Sequence, residues 1–298
     1  MPVTATAAVG LAALLDRLVA EPPARVHPVA LFGRLVAPAD RAWPVPTLAG
    51  SVVAVSLPLL ASGAVFGLVR GLAFSPAIAA LTTGVVLFST TSLRLLTDEA
   101  RQVVALSDED LPAARTALRS LAGRDASALS GSAVRSAAVE SLGENLADGL
   151  VAPLAAFALV APVSLPGAAA AATWVKAVNT LDSMLGYPHK PHGTASARLD
   201  DLTMWLPARL TAVLIAAAAF DPGALSRARK QARNPPSPNS GWPMATLAAV
   251  LGVALEKPGA YALDFGAAPS VDDARRAGVL VTRAGLLAFA LAGVVAWF

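Results

Sequence analysis

The stretch ESLGENLADG, residues 140–149, places three carboxylates and an amide immediately before an apolar run. In a helix, Glu140, Glu144 and Asp148 would follow one another at i, i+4 and i+8 and form one acidic stripe. Because like charges at that spacing repel each other, the stripe indicates a cation or a cationic substrate opposite it. An ordinary solvated acidic face stays open as the alternative, since carboxylate spacing alone is a weak pattern.

Two further polar stretches interrupt the apolar chain: WVKAVNTLDSMLGY, residues 174–187, and ARLDDLTMWLPARL, residues 197–210. Together with the first stretch they supply carboxylate and amide oxygens, which suit Mg²⁺, and cations, which suit phosphoryl or carboxylate groups. The residues that add to the acidic stripe are Asn145, Lys176, Asn179, Asp182, Arg198, Asp200, Asp201, Arg209 and Asn239. The combination predicts a phosphate-handling site at a membrane face.

Several common chemistries are absent from the sequence. The chain has no cysteine, which excludes thiolate metal sites and a cysteine nucleophile. Neither a P-loop nor a strand-linked GxGxxG is present, and HExxH and GxSxG are missing too. The H-x-x-H of YPHKPHG, residues 187–193, lies in a proline-rich loop and is a poor metal site.

Composition indicates an integral membrane protein. Of the 298 residues, 55% are hydrophobic and only 14% are charged, whereas about 25% are charged in an average soluble protein. The mean hydropathy is +0.60. A net charge of +3 is too small a surplus to indicate a nucleic-acid partner.

The uncharged runs predict the membrane helices. Residues 47–69 would form a helix about 34 Å long, which matches a hydrocarbon core of about 30 Å, and residues 72–93 form a second run. Because only Arg70 and Gly71 separate them, we expect a tight antiparallel hairpin. Residues 3–20 and 278–298 predict helices at the two ends of the chain.

The remaining segments are more polar or more broken. Residues 94–149 read as amphipathic helices outside the bilayer, because apolar positions recur there at helical spacing. Prolines and glycines divide residues 150–173 into pieces too short to cross singly, which predicts a broken apolar hairpin. Residues 202–220 are apolar but include Arg209, which should pair or face a polar cavity. We therefore predict an all-α fold, one polytopic membrane domain over residues 1–298.

Five ordered motifs resemble those of the CobD/CbiB family of cobalamin biosynthesis, the adenosylcobinamide-phosphate synthases. They are HPVALFGRLV, AVESLGENLADGLVAPL, KAVNTLDSMLGY, ARLDDLTMWLPARL and SPNSGWPMA, within residues 10–260. Residues 188–196, PHKPHGTAS, depart from the family pattern. No substrate contact is therefore assigned to His189, Lys190 or His192.

The resemblance implies a multi-pass amide ligase of the bacterial inner membrane that uses ATP and Mg²⁺. It would join (R)-1-aminopropan-2-ol, or its O-phosphate, to the free propionate of adenosylcobyric acid, giving adenosylcobinamide or its phosphate. ATP would activate the carboxylate as an acyl phosphate, which the amine would then attack. A homo-oligomer is left open.

The motifs also imply site residues, in three groups. Metal binding is expected from Glu140, Glu144 and Asp148. Catalytic roles are expected from Glu140, Glu144, Asp182 and Asp200, with Asp182 or Asp200 accepting the ammonium proton. Substrate contacts are expected from Asn145, Lys176, Asn179, Arg198, Asp201, Arg209, Ser237 and Asn239.

Two other classes of protein remain as alternatives. A prenyl or phosphatidyl transferase also holds Mg²⁺ and a diphosphate on acidic motifs, but no third carboxylate follows Asp200 and Asp201 within the next four residues. A transporter with broken helices would show two related halves. The sequence contains no second copy of ESLGENLADG.

Overall fold

The computed structural model describes residues 2–123 and 125–298, and these are mostly helical. They divide into two compact units: a first unit of residues 2–92, 148–204 and 288–298, and a second unit of residues 93–147 and 205–287. The first half of the chain contains α1 Pro2–Val19, α2 Pro28–Val36, α3 Pro46–Leu72, α4 Pro76–Thr90, α5 Arg94–Glu109, α6 Leu111–Ala117 and α7 Gly131–Leu146. The second half contains α8 Ala152–Val160, α9 Leu165–Leu185, α10 Thr194–Thr203, α11 Trp205–Ala218, α12 Gly223–Arg229, α13 Gly241–Leu251, β1 Leu255–Lys257, β2 Tyr261–Leu263 and α14 Val271–Val295.

Five helical stretches are long and apolar enough to cross a membrane, and a sixth arises if a bent pair counts as one span. The five are Pro2–Val19, Pro46–Leu72, Pro76–Glu109, Gly131–Val160 and Val271–Val295, and the bent pair joins Pro191–Thr203 to Trp205–Ala218 at 46°. The predicted polytopic helical membrane fold is confirmed. The description as one domain, with residues 94–149 outside the bilayer, stays a prediction.

In the first unit α9 is the central helix. It packs against α3, α8, α4, α2 and α10, while α4 also packs against α1. The amino-terminal half of α9 is the run GAAAAA, residues 167–172, and small side chains let neighbouring backbones approach closely in a membrane bundle. The polar residues come later in α9, so the helix carries them into the unit that it organises.

The link from α9 to α10 is fixed by two close backbone approaches. A Cβ on Gly193 would collide with the Leu185 carbonyl, and a Cβ on Gly50 of α3 would collide with the His192 carbonyl. Asp40 also accepts hydrogen bonds from Lys190 Nζ at 2.7 Å and pairs with His192 Nε2 at 3.2 Å. The loop that departs from the family pattern therefore holds α10 against α9 and α3.

In the second unit α7 packs against α5, α13 and β1, and α13 also contacts α11 and α12. Strands β1 and β2 form an antiparallel hairpin in which Leu255 is paired with Leu263. The sequence did not predict this hairpin, because each strand has only three residues. Arg135 of α7 donates to the Pro269 carbonyl at 2.9 Å and so ties α7 to the segment before α14.

Two predicted boundaries are wrong. α3 continues through Arg70 and Gly71, and the turn falls before Pro76, where Ser75 caps α4. α3 and α4 are joined by three residues and do contact each other, although α3 packs mainly against α9 and α4 mainly against α1. Pro153, one of the prolines expected to divide residues 150–173, does not end a helix, because it lies in the first turn of α8, where the missing N–H of proline is tolerated. The break falls between Val160 and Leu165.

Candidate active site

The predicted site residues are divided between the two units. The first unit contains Asp148, Lys176, Asn179, Asp182, Arg198, Asp200 and Asp201, and the second contains Glu140, Glu144, Asn145, Arg209, Ser237 and Asn239. Each group has its own set of contacts, and the first is the more acidic.

A carboxamide joins two carboxylates in the first unit. Asn179 is 8% exposed, and its Nδ2 donates to Asp148 Oδ2 at 3.1 Å and lies 3.5 Å from Asp200 Oδ1. Asn179 is on α9 and Asp200 is on α10. The fixed link between these two helices therefore brings Asn179 and Asp200 together. Asp148 lies in a π-helical turn, Ala147–Val151, a distortion that often marks functional sites.

Lys176 lies one turn before Asn179 on α9 and is close enough to Asp148 and Glu21 to interact with both carboxylates. Burial lowers the pKa of Lys176, while the charges of Asp148 and Glu21 oppose that shift. Lys176 also lines a largely apolar cavity of about 360 Å³ in the same unit. Lys176 therefore lies where an anionic group entering the cavity would meet a positive charge.

Glu21 and His27 were not predicted as site residues. His27 caps α2 by accepting from Val29 N at 3.1 Å through Nδ1, and its Nε2 lies 3.4 Å from Glu21 Oε2. Burial alone would raise the pKa of Glu21, but hydrogen bonds from His27 and Ser92 outweigh it and lower the pKa. The available sequence signal was His27 next to Pro28, which reads equally well as a structural cap.

Asp182 lies near the carboxyl end of α9. Burial, together with the charge of Asp201, raises the pKa of Asp182 to about 6. A Cβ on Gly186 would collide with Asp182 Oδ1, so the glycine leaves the space that this carboxylate occupies. A carboxylate with a pKa near neutrality is suited to accept a proton.

Arg198 is the most exposed of the predicted site residues in the first unit. Its side chain is 82% exposed and its Nη1 lies 4.0 Å from Asp201 Oδ2, one turn further along α10. An exposed pair of this kind contributes little stability. The Arg198 guanidinium is therefore available to solvent-borne groups.

In the second unit Glu140 is completely buried. Its carboxylate accepts from Ser136 Oγ at 3.2 Å and from Tyr261 Oη at 2.8 Å. The expected regular stripe is also interrupted, because α7 ends at Leu146 and Asp148 lies in the π-helical turn. The contacts of Glu140 are those of a carboxylate that stabilises packing between α7 and the β-hairpin.

The other acidic-stretch residues of this unit differ in their surroundings. Glu144 is partly exposed, and Asn145 Nδ2 lies 3.4 Å from the Leu121 carbonyl. Among the described residues, no group of three or more His, Cys, Asp or Glu side chains is arranged to hold a metal ion. The three-carboxylate set of Glu140, Glu144 and Asp148 gains no support from this arrangement.

Arg209 forms the centre of a second polar group. Its Nη1 donates to Asn239 Oδ1 at 2.6 Å, and its guanidinium lies over the rings of Trp205 and Trp242, at 4.7 and 5.3 Å from their centroids. Ser237 Oγ accepts from Asn239 N at 3.2 Å and so shapes the turn before α13. The prediction that Arg209 needs polar partners inside its apolar helix is confirmed by these contacts.

Comparison with known proteins agrees with this architecture. The CobD/Cbib protein family profile matches residues 9–285. The "Probable cobalamin biosynthesis protein CobD" of Methanothrix thermoacetophila is 38% identical over 96% of this chain and 95% of its own. The "Cobalamin biosynthesis protein CobD" of Geobacter metallireducens is 38% identical over 90% and 88%. No solved structure matches significantly.

The fold and the acidic groups define a polytopic helical membrane protein with a carboxylate, amide and lysine cluster in one of its units. The profile match covers nearly the whole chain. The chain belongs to the CobD/Cbib family.

Proposed function

We propose that this protein is the adenosylcobinamide-phosphate synthase of a bacterial inner membrane. It would join (R)-1-aminopropan-2-ol, or its O-phosphate, to the free propionate of adenosylcobyric acid by an amide bond, with ATP consumed. Family membership supports a role in cobalamin biosynthesis. It also favours this enzyme over the transferase and transporter alternatives.

The observation that carries the proposed chemistry is the contact of one buried amide, Asn179, with two carboxylates, Asp148 and Asp200. Two carboxylates drawn to one point repel each other unless a cation or a proton compensates. Mg²⁺ is commonly held by one or two carboxylates together with substrate phosphates. Asp148 and Asp200 fit that pattern and would hold the ion.

Magnesium bound there would neutralise charge on the phosphates of ATP. Other side chains of the first unit would orient the carboxylates and bind the substrates. Asn179 orients the two carboxylates, and Lys176 supplies a positive charge beside Asp148 for a phosphate or a propionate. Arg198, exposed on α10, would bind an anionic part of a substrate, and Asp201, one turn further along, would contact the same substrate.

The reaction would take place in two steps. A propionate oxygen attacks the γ-phosphorus of ATP, which forms an acyl phosphate and releases ADP. The amine then attacks the acyl carbon, loses a proton, and expels inorganic phosphate to leave the amide. Asp182, with its pKa of about 6, would accept that proton, and Asp200 is the alternative acceptor.

For the second unit we propose substrate contacts from Glu144, Asn145, Arg209, Ser237 and Asn239. Glu140 already accepts hydrogen bonds from Ser136 and Tyr261, so we assign it a structural role in place of the metal and catalytic roles expected from sequence.

The proposal is tested by supplying the purified full-length protein with adenosylcobyric acid, ATP, Mg²⁺ and each amine donor separately. Mass spectrometry should detect the amide product, formed with stoichiometric loss of ATP. Absence of product with both donors, from protein shown to be folded and inserted, would refute the ligase. The matched control is the Asp148→Asn variant of the protein. It keeps the shape of the side chain and removes the negative charge that is proposed to hold Mg²⁺.

A further inference from the structure

Arg209 and Arg233 are two guanidiniums of the second unit without carboxylate partners. Many other arginines have one: Arg94 and Arg101 pair with Asp98, Arg227 with Asp221, Arg275 with Asp272, and Arg276 with Asp273. Within residues 2–123 and 125–298, no ion pair involves Arg209 or Arg233. Neither positive charge is therefore paired with a carboxylate of the described residues.

Arg209 is held in place by neutral groups only. Its Nη1 donates to the Trp205 carbonyl at 2.8 Å and to Asn239 Oδ1, and its Nη2 lies 3.2 Å from the Pro238 carbonyl. The rings of Trp205 and Trp242 both face its guanidinium. These contacts fix the orientation of the group and leave its charge in place.

Arg233 lies in a segment that is fixed on both sides. Gln231 exchanges two hydrogen bonds with Asp264, at 2.6 and 2.7 Å, and Asn234 Nδ2 donates to the Ala262 carbonyl at 2.9 Å. On the other side, a Cβ on Gly241 would collide with the Ala232 carbonyl. The exposed Arg233 is thus presented from a fixed turn that touches the start of α13, where Trp242 lies against the Arg209 guanidinium.

Holding two like charges together is unfavourable unless an anion binds between them. Guanidinium forks match the oxygens of phosphate in geometry as well as in charge, and a preorganised fork loses less entropy on binding. The exposed Trp205 adds a surface on which an apolar part of a ligand could lie.

We infer that Arg209 and Arg233, with Trp205 and Trp242 beside them, form a binding site for the phosphate group of a phosphoester. This deepens the proposed function and rests on it for the ligand, since one of the two amine donors is phosphorylated. The same chemistry is present in a phospholipid headgroup, and tryptophans are frequent at membrane interfaces. Either source would supply the phosphate group, and the two are separable by experiment.

The test is calorimetry on the full-length protein in a neutral, phosphate-free detergent, with two probes. One probe is O-phosphorylated 1-aminopropan-2-ol, and the other is phosphatidylglycerol in mixed micelles. Arg233→Ala is compared with Arg229→Ala, which removes another exposed arginine, from the neighbouring α12. Thermal melts check that both variants fold.

We expect Arg233→Ala to weaken binding of at least one probe by about tenfold or more, the effect of losing a charge-assisted hydrogen bond. Arg229→Ala should change binding less than about twofold. The probe that loses affinity identifies the source of the phosphate. Equal binding of both probes by wild type and Arg233→Ala, or equal losses in the two variants, would overturn the inference.

The outcome is separable from that of the proposed function. If no amide product forms but Arg233→Ala still weakens phosphoester binding, the site stands and the ligase fails. If product forms from the phosphorylated amine and Arg233→Ala changes neither binding nor KM for that amine, the ligase stands and the site fails.

Discussion

The Nδ2 atom of Asn179 donates to Asp148 Oδ2 at 3.1 Å, so an amide of α9 is joined to the carboxylate at the end of the acidic stretch. The same nitrogen lies 3.5 Å from Asp200 Oδ1. Asn179 thus connects one residue from each of two other polar stretches, which makes it the residue on which the proposed site depends.

Replacing Asn179 with Leu keeps the side chain similar in size and removes its donor. The two carboxylates would lose their shared partner, and we expect kcat/KM for amide formation to fall by about tenfold or more. The measurement is initial-rate kinetics in detergent, with membrane insertion checked by fractionation. Unchanged kinetics would show that the contact between Asn179 and the two carboxylates plays no part in turnover.

The proposed role of Asp182 predicts that the rate of amide formation depends on pH. As a proton acceptor it must be ionised, and its pKa is raised to about 6 by burial and by Asp201. The rate should therefore rise with pH through about 6 in the wild type. In Asp182→Asn the rate should be lower and this inflection should disappear. A variant that retains the same inflection would exclude Asp182 as the proton acceptor.

The stability effect of Asp182 has the opposite sign. Its folded pKa lies above the unfolded value of 3.8, so the folded state binds the proton more tightly and stability falls as pH rises from about 4 to about 6. Asp182→Asn should remove this dependence and raise Tm at neutral pH. A series of thermal melts across this range measures both effects.

Gly186→Ala should disturb the site by a steric clash, without changing any charge. The new Cβ would collide with Asp182 Oδ1 and must displace that carboxylate. We expect a loss of activity larger than the loss of Tm. The control is Gly67→Ala near the carboxyl end of α3, where a Cβ meets nothing within 4 Å. This variant should keep both its activity and its Tm. If both glycine variants behave alike, the position of Asp182 is not critical.

The sequence predicted four of the five candidate membrane helices, because long uncharged runs have few other structures available to them. It did not predict Gly131–Val160 as a span. It also grouped Asp148 and Asn179 in one predicted site, and the two side chains are hydrogen-bonded. Pattern alone could not show that Glu140 is buried against Tyr261, since the partner is 121 residues away in a hairpin too short to recognise. Arg70 failed as a turn signal because arginine is a good helix former and its guanidinium can reach the interface.

Asp40 should stabilise the α9–α10 link in a pH-dependent way. The hydrogen bond from Lys190 lowers the pKa of Asp40 despite some desolvation, and His192 adds to this. The stabilisation should be present above the unfolded pKa of 3.8 and be lost as pH falls through the lower folded value. Asp40→Asn should therefore lower Tm at neutral pH, and the difference from wild type should disappear in strong acid.

Tyr261→Phe separates a structural role of Glu140 from a catalytic one. The change removes the donor 2.8 Å from Glu140 Oε2 and should destabilise the protein by about 1–3 kcal/mol, the cost of a buried acceptor left with fewer partners. kcat should stay near the wild-type value at a temperature where the variant is folded. A fall in kcat without a fall in Tm would show that Glu140 has a catalytic role and not only a structural one.

The central claim is that ATP phosphorylates the propionate before the amine attacks. The most direct measurement uses adenosylcobyric acid with ¹⁸O in that carboxylate, incubated with the protein, ATP, Mg²⁺ and the amine. One ¹⁸O atom should be found in the inorganic phosphate released with each amide bond. Product formed with ¹⁸O in AMP, or with no ¹⁸O transferred to any phosphate, would contradict the mechanism.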